Sequence, residues 1–200
     1  KQTWNGGGYY EIWTRGLDDV GFISALIDEL SRGYAIDPAR IYAFGHSNGG
    51  FMAHHLGARL PHRFAAIACC AGLLARNDFV PGPPVSVIHI HGKQDQTLPR
   101  TGLAKGGWVG VEKGVSLWAK RNRCNPKAET LRDDKQIRVR KWAVPQASGD
   151  VVLYALKTWG HDLPGTDNGA PITAVEEAWR FFKSHPKQVV ARRSRGKLKP

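Results

Sequence analysis

The amino-acid sequence predicts an α/β domain with a mostly parallel sheet covered by helices on both faces. Three observations carry that expectation. Short apolar, β-branched runs recur at residues 41–44, 85–91 and 151–156, each ending in a turn. Stretches with helical spacing lie between them, the alternation expected of parallel βαβ units. The 200 residues, 42% hydrophobic and 23% charged, suit one globular domain over residues 1–185 with a substantial core.

Taken in order, the elements are justified as follows. Asp18 and Asp19 offer a helix N-cap, and Val20, Ile23, Leu26, Ile27 and Leu30 then recur at helical spacing. Gly33 and the Asp37-Pro38 pair end that helix and lead into the strand at Ile41. Residues 49–60 should form the next helix, stopped by Pro61, and 64–70 the next strand. Residues 72–84 are expected as loop, and Trp108 to Arg121 as helix. The segment 122–149 is polar and basic, within which residues 137–142 alternate as a solvent-facing strand would. Ala174, Val175, Ala178, Trp179, Phe181 and Phe182 mark a closing amphipathic helix over 172–185.

The net charge of +12 draws on Lys183, Lys187, Arg192, Arg193, Arg195, Lys197 and Lys199, with no acid in that stretch. Residues 186–200 are therefore expected as a solvated, flexible basic tail. Nothing resembles a recognition helix, a zinc finger or an aromatic stacking platform, so no specific nucleic-acid partner is expected. No apolar run reaches the roughly 20 residues that span a bilayer. Cys69, Cys70 and Cys124 show no zinc spacing; the adjacent pair is expected as buried small apolar residues, and Cys124 bridges to one of them or stays free.

The chemistry concentrates at Gly45-His46-Ser47-Asn48-Gly49, a G-x-S-x-G pattern between an apolar run and a helical one. Such a turn exposes a serine hydroxyl at the carboxyl end of a strand, where the next helix aims its amino terminus. The pattern's glycines are expected to be required sterically, because strand and helix pass close together. Asp95 follows the second apolar run, within His91-Gly92-Lys93-Gln94-Asp95. His161 follows the third, within Trp159-Gly160-His161-Asp162. Serine, acid, histidine is the chain order of an α/β-hydrolase triad. Asp78 is the rival acid, on a loop that lacks the H-G-x-x-D setting.

In that arrangement Ser47 is the nucleophile, His161 the base and Asp95 the group that orients the imidazole. The backbone N–H of Asn48 is the oxyanion donor. His46 is a candidate pocket residue, and Asp162 is expected to be solvated. His89 and His91 share one face of their strand, as two metal ligands would; no acid or cysteine cluster completes a site in the sequence, so core roles are expected and no metal is invoked. His54 and His55 are expected to be packed or exposed on their helix. Trp108 and Trp159 are candidates for stacking on an aromatic acyl group, with core packing the alternative for Trp108.

These motifs resemble the esterase group that includes LpqC-type polyhydroxybutyrate depolymerases, feruloyl esterases and acetylxylan esterases of carbohydrate esterase family 1. The matching residues are Trp4-Asn5-Gly6-Gly7-Gly8, Asp18-Asp19-Val20-Gly21-Phe22, Asp37-Pro38-Ala39-Arg40-Ile41-Tyr42, the serine turn, residues 89–95 and Gly160-His161-Asp162-Leu163-Pro164-Gly165. The resemblance implies an α/β-hydrolase fold and a cofactor-free serine carboxylesterase acting on polymeric or plant-wall esters, secreted or periplasmic. It also implies departures. Tyr9-Tyr10 stands where family members carry a cysteine pair, which leaves Cys124 without its family partner. Trp159 replaces a usual glycine, which would reshape the substrate pocket. The strands and H-G oxyanion loop that the family places ahead of this sequence have no match in it. The sequence is therefore expected to be part of a longer protein whose preceding segment supplies those N-terminal strands and the second oxyanion donor; a partner segment that completes the sheet, and a catalytically crippled protein, are the other readings. A binding protein that keeps the fold without the chemistry, and a serine peptidase, are the alternatives left open. Oligomeric state is not legible.

Overall fold

The computed structural model describes residues 3–8, 16–76, 78–103, 106–145 and 149–187. Its centre is a six-stranded sheet built from β1 (Tyr42–His46), β2 (Ala66–Cys70), β3 (Ser86–Gly92), β6 (Glu129–Asp133), β7 (Ile137–Trp142) and β8 (Val151–Leu156), in the order β1-β2-β3-β8-β7-β6. The first four strands in that order run parallel, and β7 and β6 add to β8 as an antiparallel edge. A small separate ribbon pairs β4 (Gly102–Leu103) with β5 (Trp108–Val109).

Alternation along the strands sorts side chains onto two faces. On one face Ile67, Val87, Val151 and Leu153 pack with Phe51, Met52 and Leu56 of α2 (Asn48–Arg59). Val111, Val115 and Trp118 of α3 (Val111–Arg121) complete that layer. On the other, Ala66, Ala68, Ile88, Ile90 and Val152 receive Ala174, Ala178, Phe181 and Phe182 of α4 (Ala174–Ser184). Tyr42 stacks on Phe182 there, with ring centroids 4.7 Å apart. The mostly parallel, two-faced α/β architecture is therefore present.

The first helix, α1 (Asp19–Gly33), begins where the sequence places it. Asp18 caps it, its carboxylate accepting the amide of Gly21 at 2.7 Å. Val20, Ile23 and Ile27 lean on the core, yet no residue of α1 is buried, and Leu26 and Leu30 stay exposed. Strand β1 closes one edge of the sheet, with Phe44 partly exposed. The strands that the resemblance places ahead of β1 have no counterpart among the described residues.

Other expectations need correction. Helix α3 starts at Val111, not Trp108, because Trp108 and Val109 are extended in the ribbon between Gly107, at φ +76°, and Gly110. Strand β7 is not solvent-facing throughout: Ile137 and Val139 are buried. On α4, Val175 and Trp179 point outward, 51% and 56% exposed, so its core-facing stripe is narrower than the apolar residues suggest. Cys69 and Cys70 are buried, and all three cysteines are free thiols. No helix among the described residues is long and apolar enough to cross a membrane. Tyr9-Tyr10 and the basic tail beyond Lys187 lie outside the described residues.

Candidate active site

Ser47 occupies the turn between β1 and α2 with φ 53° and ψ −119°, a region that non-glycine residues seldom adopt. Such strain costs about 1–3 kcal/mol and persists where the surroundings enforce it. The enforcement is visible. The Ser47 amide donates to the carbonyl of Cys70 on the neighbouring strand at 2.9 Å, and its own carbonyl receives the amides of Gly50 and Phe51. A Cβ on Gly45 would lie 2.0 Å from the carbonyl oxygen of Gly49, so the first glycine of the motif is sterically compelled. Gly49 is not: a Cβ there meets nothing within 4 Å. The expectation that both motif glycines serve close approach is corrected to one.

The three side chains expected to work together do meet. The hydroxyl of Ser47 lies 2.9 Å from Nε2 of His161, and Nδ1 of His161 lies 2.8 Å from a carboxylate oxygen of Asp95. A carboxylate can only accept, so His161 carries its proton on Nδ1 and offers a lone pair to the serine O–H. Asp95 is fully sequestered, its side chain 0% exposed, and its other oxygen accepts the amide of Leu98 at 2.7 Å. Each member projects from a loop just after a strand end, Ser47 after β1, Asp95 after β3 and His161 after β8. Parallel neighbours bring those ends to one rim of the sheet.

The loop bearing His161 is braced from three sides. His46 donates its Nε2–H to the backbone carbonyl of His161 at 2.7 Å. Trp159 donates its indole N–H to the carbonyl of Asp162 at 2.7 Å, and its own carbonyl accepts the amide of Gln94. Gly92 lets the two loops touch, since a Cβ there would stand 2.2 Å from the carbonyl of Gly160. Asp162 is exposed, as expected.

Asn48 is the first residue of α2. Its side chain ties the turn to the N-terminal segment, accepting the amide of Trp4 at 2.7 Å and donating to the carbonyl of Trp4 at 3.1 Å. Beside it lies a hollow of about 600 Å³ lined by Thr3, Trp4, Asp19, His46, Asn48 and Gly49. Trp159 does not line that hollow. Trp108 is a core residue, edge-on to Phe51 with centroids 5.0 Å apart.

The rival acid is engaged elsewhere. Both carboxylate oxygens of Asp78 lie 2.8 Å from Nδ1 of His55, and both residues are buried. The buried histidines differ from their sequence-based reading in one respect. The fold supplies a cysteine where the sequence shows none nearby: ligand atoms of His54, Cys69 and His89 lie within 4.8 Å of one another. Their ring nitrogens, however, are already hydrogen-bonded in a chain that runs from Trp118 through His54, His89 and His91 to Leu98. His54 and Trp118 are the participants that sequence reasoning missed. Spacing gives a signal for His54 alone, since Phe51, His54 and Ala58 fall on one face of α2.

Comparison with known proteins places the chain among esterase-like sequences and folds. A family profile described as phospholipase/carboxylesterase matches residues 18–105. NocK of Nocardia uniformis subsp. tsuyamanensis, a candidate esterase by name, is 40% identical over 88 residues, 43% of this chain and 26% of that protein. Feruloyl esterase B of Piromyces equi is 32% identical over 127 residues, 56% of this chain and 24% of that protein. The chain thus matches about a quarter of the length of these two relatives. An acetyl xylan esterase from Aspergillus awamori superposes with a TM-score of 0.58 at 15% identity, covering 82% of this chain and 66% of that one.

Proposed function

We propose, for a chain that has the α/β-hydrolase fold and is related to esterases, that it is a serine carboxylesterase working through an acyl-enzyme. The observation that supports this is the unbroken relay from Asp95 through His161 to Ser47, at 2.8 and 2.9 Å. Oγ of Ser47 attacks the ester carbonyl carbon while its proton passes to Nε2 of His161. The negative oxygen of the tetrahedral intermediate is met by the backbone N–H of Asn48 at the positive end of α2. Asp95 stabilises the imidazolium and keeps the ring oriented. His161 then gives its proton to the departing alkoxide as the C–O bond breaks. Water repeats the sequence on the acyl-enzyme and releases the carboxylic acid.

The substrate belongs to the esters of plant cell walls or hydroxyalkanoate polymers, and the protein works in the periplasm or outside the cell. The plant-wall part of that reading is supported by the name feruloyl esterase B, and the remainder by the resemblance that the W-N-G-G-G, H-G-K-Q-D and G-H-D-L-P-G motifs carry. The open hollow lined by His46 and Asn48 receives part of the ester beside the nucleophile. No cofactor takes part in these steps.

The test is direct. Full-length protein is treated with a fluorophosphonate probe, and turnover is measured on p-nitrophenyl esters, methyl ferulate and a poly(3-hydroxybutyrate) suspension. Ser47 is expected to carry the covalent adduct, and Ser47→Ala to abolish both labelling and turnover. Unchanged turnover in that variant sinks the mechanism.

A further inference from the structure

Behind the triad, on the α2 and α3 side of the sheet, four aromatic side chains touch in sequence. The indole Nε1 of Trp118 lies 3.0 Å from Nδ1 of His54. Nε2 of His54 lies 3.1 Å from Nδ1 of His89, and Nε2 of His89 lies 3.2 Å from Nδ1 of His91. Nε2 of His91 lies 2.9 Å from the carbonyl oxygen of Leu98 and 3.4 Å from a carboxylate oxygen of Asp95. All three histidines are buried, His54 and His91 to 1% exposure.

The two ends fix where every proton sits. An indole nitrogen can only donate, so Nδ1 of His54 must accept. A neutral imidazole that accepts on Nδ1 carries its proton on Nε2, and it therefore donates to the next ring. The same step repeats through His89 and His91. The last Nε2–H then meets a carbonyl oxygen, which can only accept. One assignment satisfies every contact without a charge, and reversing any ring would set lone pair against lone pair. Burial, reinforced at His54 by the nearby His91, pushes the pKa of His54 down to about 3; burial also holds His89 and His91 below their usual value. All three rings are therefore neutral at ordinary pH, as the assignment requires.

We propose that Trp118, His54, His89 and His91 form a proton-ordered chain that holds Asp95 in place for His161, making His91 a positioning residue of the ester-cleaving site. The coupling runs through Leu98. Its carbonyl accepts from His91 while its amide donates to Oδ1 of Asp95, and Oδ2 of Asp95 faces both His91 and His161. The chain thus anchors the acid's loop on both α2 and α3. It also accounts for the cluster of His54, Cys69 and His89: every imidazole lone pair already receives an N–H, leaving none for a cation. The Cys69 thiol, pushed well up by burial and then by the neighbouring Cys70, adds no thiolate.

The inference rests on the esterase reading for its kinetic consequence, but its proton assignment can be tested without activity. Nitrogen-15 NMR of the histidine-labelled wild-type protein should show His54, His89 and His91 each protonated on Nε2 alone, unchanged between about pH 7 and about pH 9. A proton on Nδ1 of His91, or a second proton on its ring, overturns the proposal. In kinetics, His91→Phe should lower kcat about 10²-fold with little change in KM, the scale of loss when a catalytic group is misplaced. His91→Gln, whose amide keeps one donor and one acceptor, should recover turnover to within about 10-fold of wild type. A folded His91→Phe variant at wild-type kcat overturns the proposal, as does a folded His91→Gln as slow as the phenylalanine variant. If His91→Phe does not fold, the NMR result and His91→Gln decide. Wild-type protein that neither turns over esters nor labels at Ser47 would defeat the esterase reading, and the NMR result would then judge the proton chain by itself.

Discussion

Nε2 of His161 stands 2.9 Å from the hydroxyl oxygen of Ser47, at a sequence separation of 114. No local preference creates that contact. It arises because β1 and β8 end at the same rim of one sheet, and because His46 and Trp159 hold the histidine loop against the serine turn.

Replacing Asp95 with Asn should separate orientation from structure. The amide oxygen can still accept from Leu98, but facing His161 its NH₂ would favour the imidazole tautomer with the proton on Nε2. That proton would point at Ser47 and block its activation. We expect kcat to fall about 10⁴-fold with the fold retained, read by p-nitrophenyl ester kinetics beside far-UV circular dichroism. A loss of 10-fold or less, on the order of what a surface acid would give, would remove Asp95 from the relay.

Asp78→Asn provides the contrast. Asp78 is buried against His55, and no contact links it to His161. Its loss weakens a buried hydrogen-bonded pair, which should cost about 1–3 kcal/mol in urea unfolding. Ester turnover should stay within about 3-fold of wild type, because the reacting groups are untouched. A collapse of kcat without a loss of stability would mean that the acid has been misassigned.

Much of this was legible because each signal had a local cause. The Asp18 cap, the serine turn and the apolar runs at β2, β3 and β8 follow from capping, glycine sterics and burial of parallel strands. Strand β6 was not legible. All five of its residues, Glu129 to Asp133, are exposed, so no alternation marks it, and pairing with β7 alone keeps it extended. Trp108 and Val109 misled for the opposite reason, since apolar content beside a helical stretch looks like more helix. The partnership of His54, His89 and Trp118 was out of reach because it joins three elements, and no spacing in one of them announces the others.

The motif glycines should part company on substitution. Gly45→Ala drives a methyl into the Gly49 backbone and belongs with the extreme single-residue losses, about 4 kcal/mol or more. Gly49→Ala places its methyl in open space within α2, where alanine is the better helix former, and should stabilise by about 0.5–1 kcal/mol. Thermal melts of the two variants test this. Equal destabilisation would show that the turn needs glycine at both positions for reasons beyond space.

Stability should fall with acid before the carboxylates titrate. In the unfolded chain His54, His89 and His91 take up protons near the usual 6.5, whereas the folded protein holds His54 down to about 3 and keeps the other two below 6.5. Between those values the unfolded state binds more protons than the folded one, so the free energy of unfolding rises with pH and is lost as pH drops below 6.5. Each histidine that is protonated only when unfolded contributes a slope of about 1.4 kcal/mol per pH unit. Urea unfolding followed by circular dichroism from about pH 7 to about pH 5.5 keeps carboxylate protonation small, since unperturbed Asp and Glu titrate near about 4. We expect the midpoint to fall steadily across that range, and less steeply in His54→Gln, which removes one of the three. A flat profile would mean that the folded protein accepts those protons, and that the buried rings are not held neutral by their surroundings.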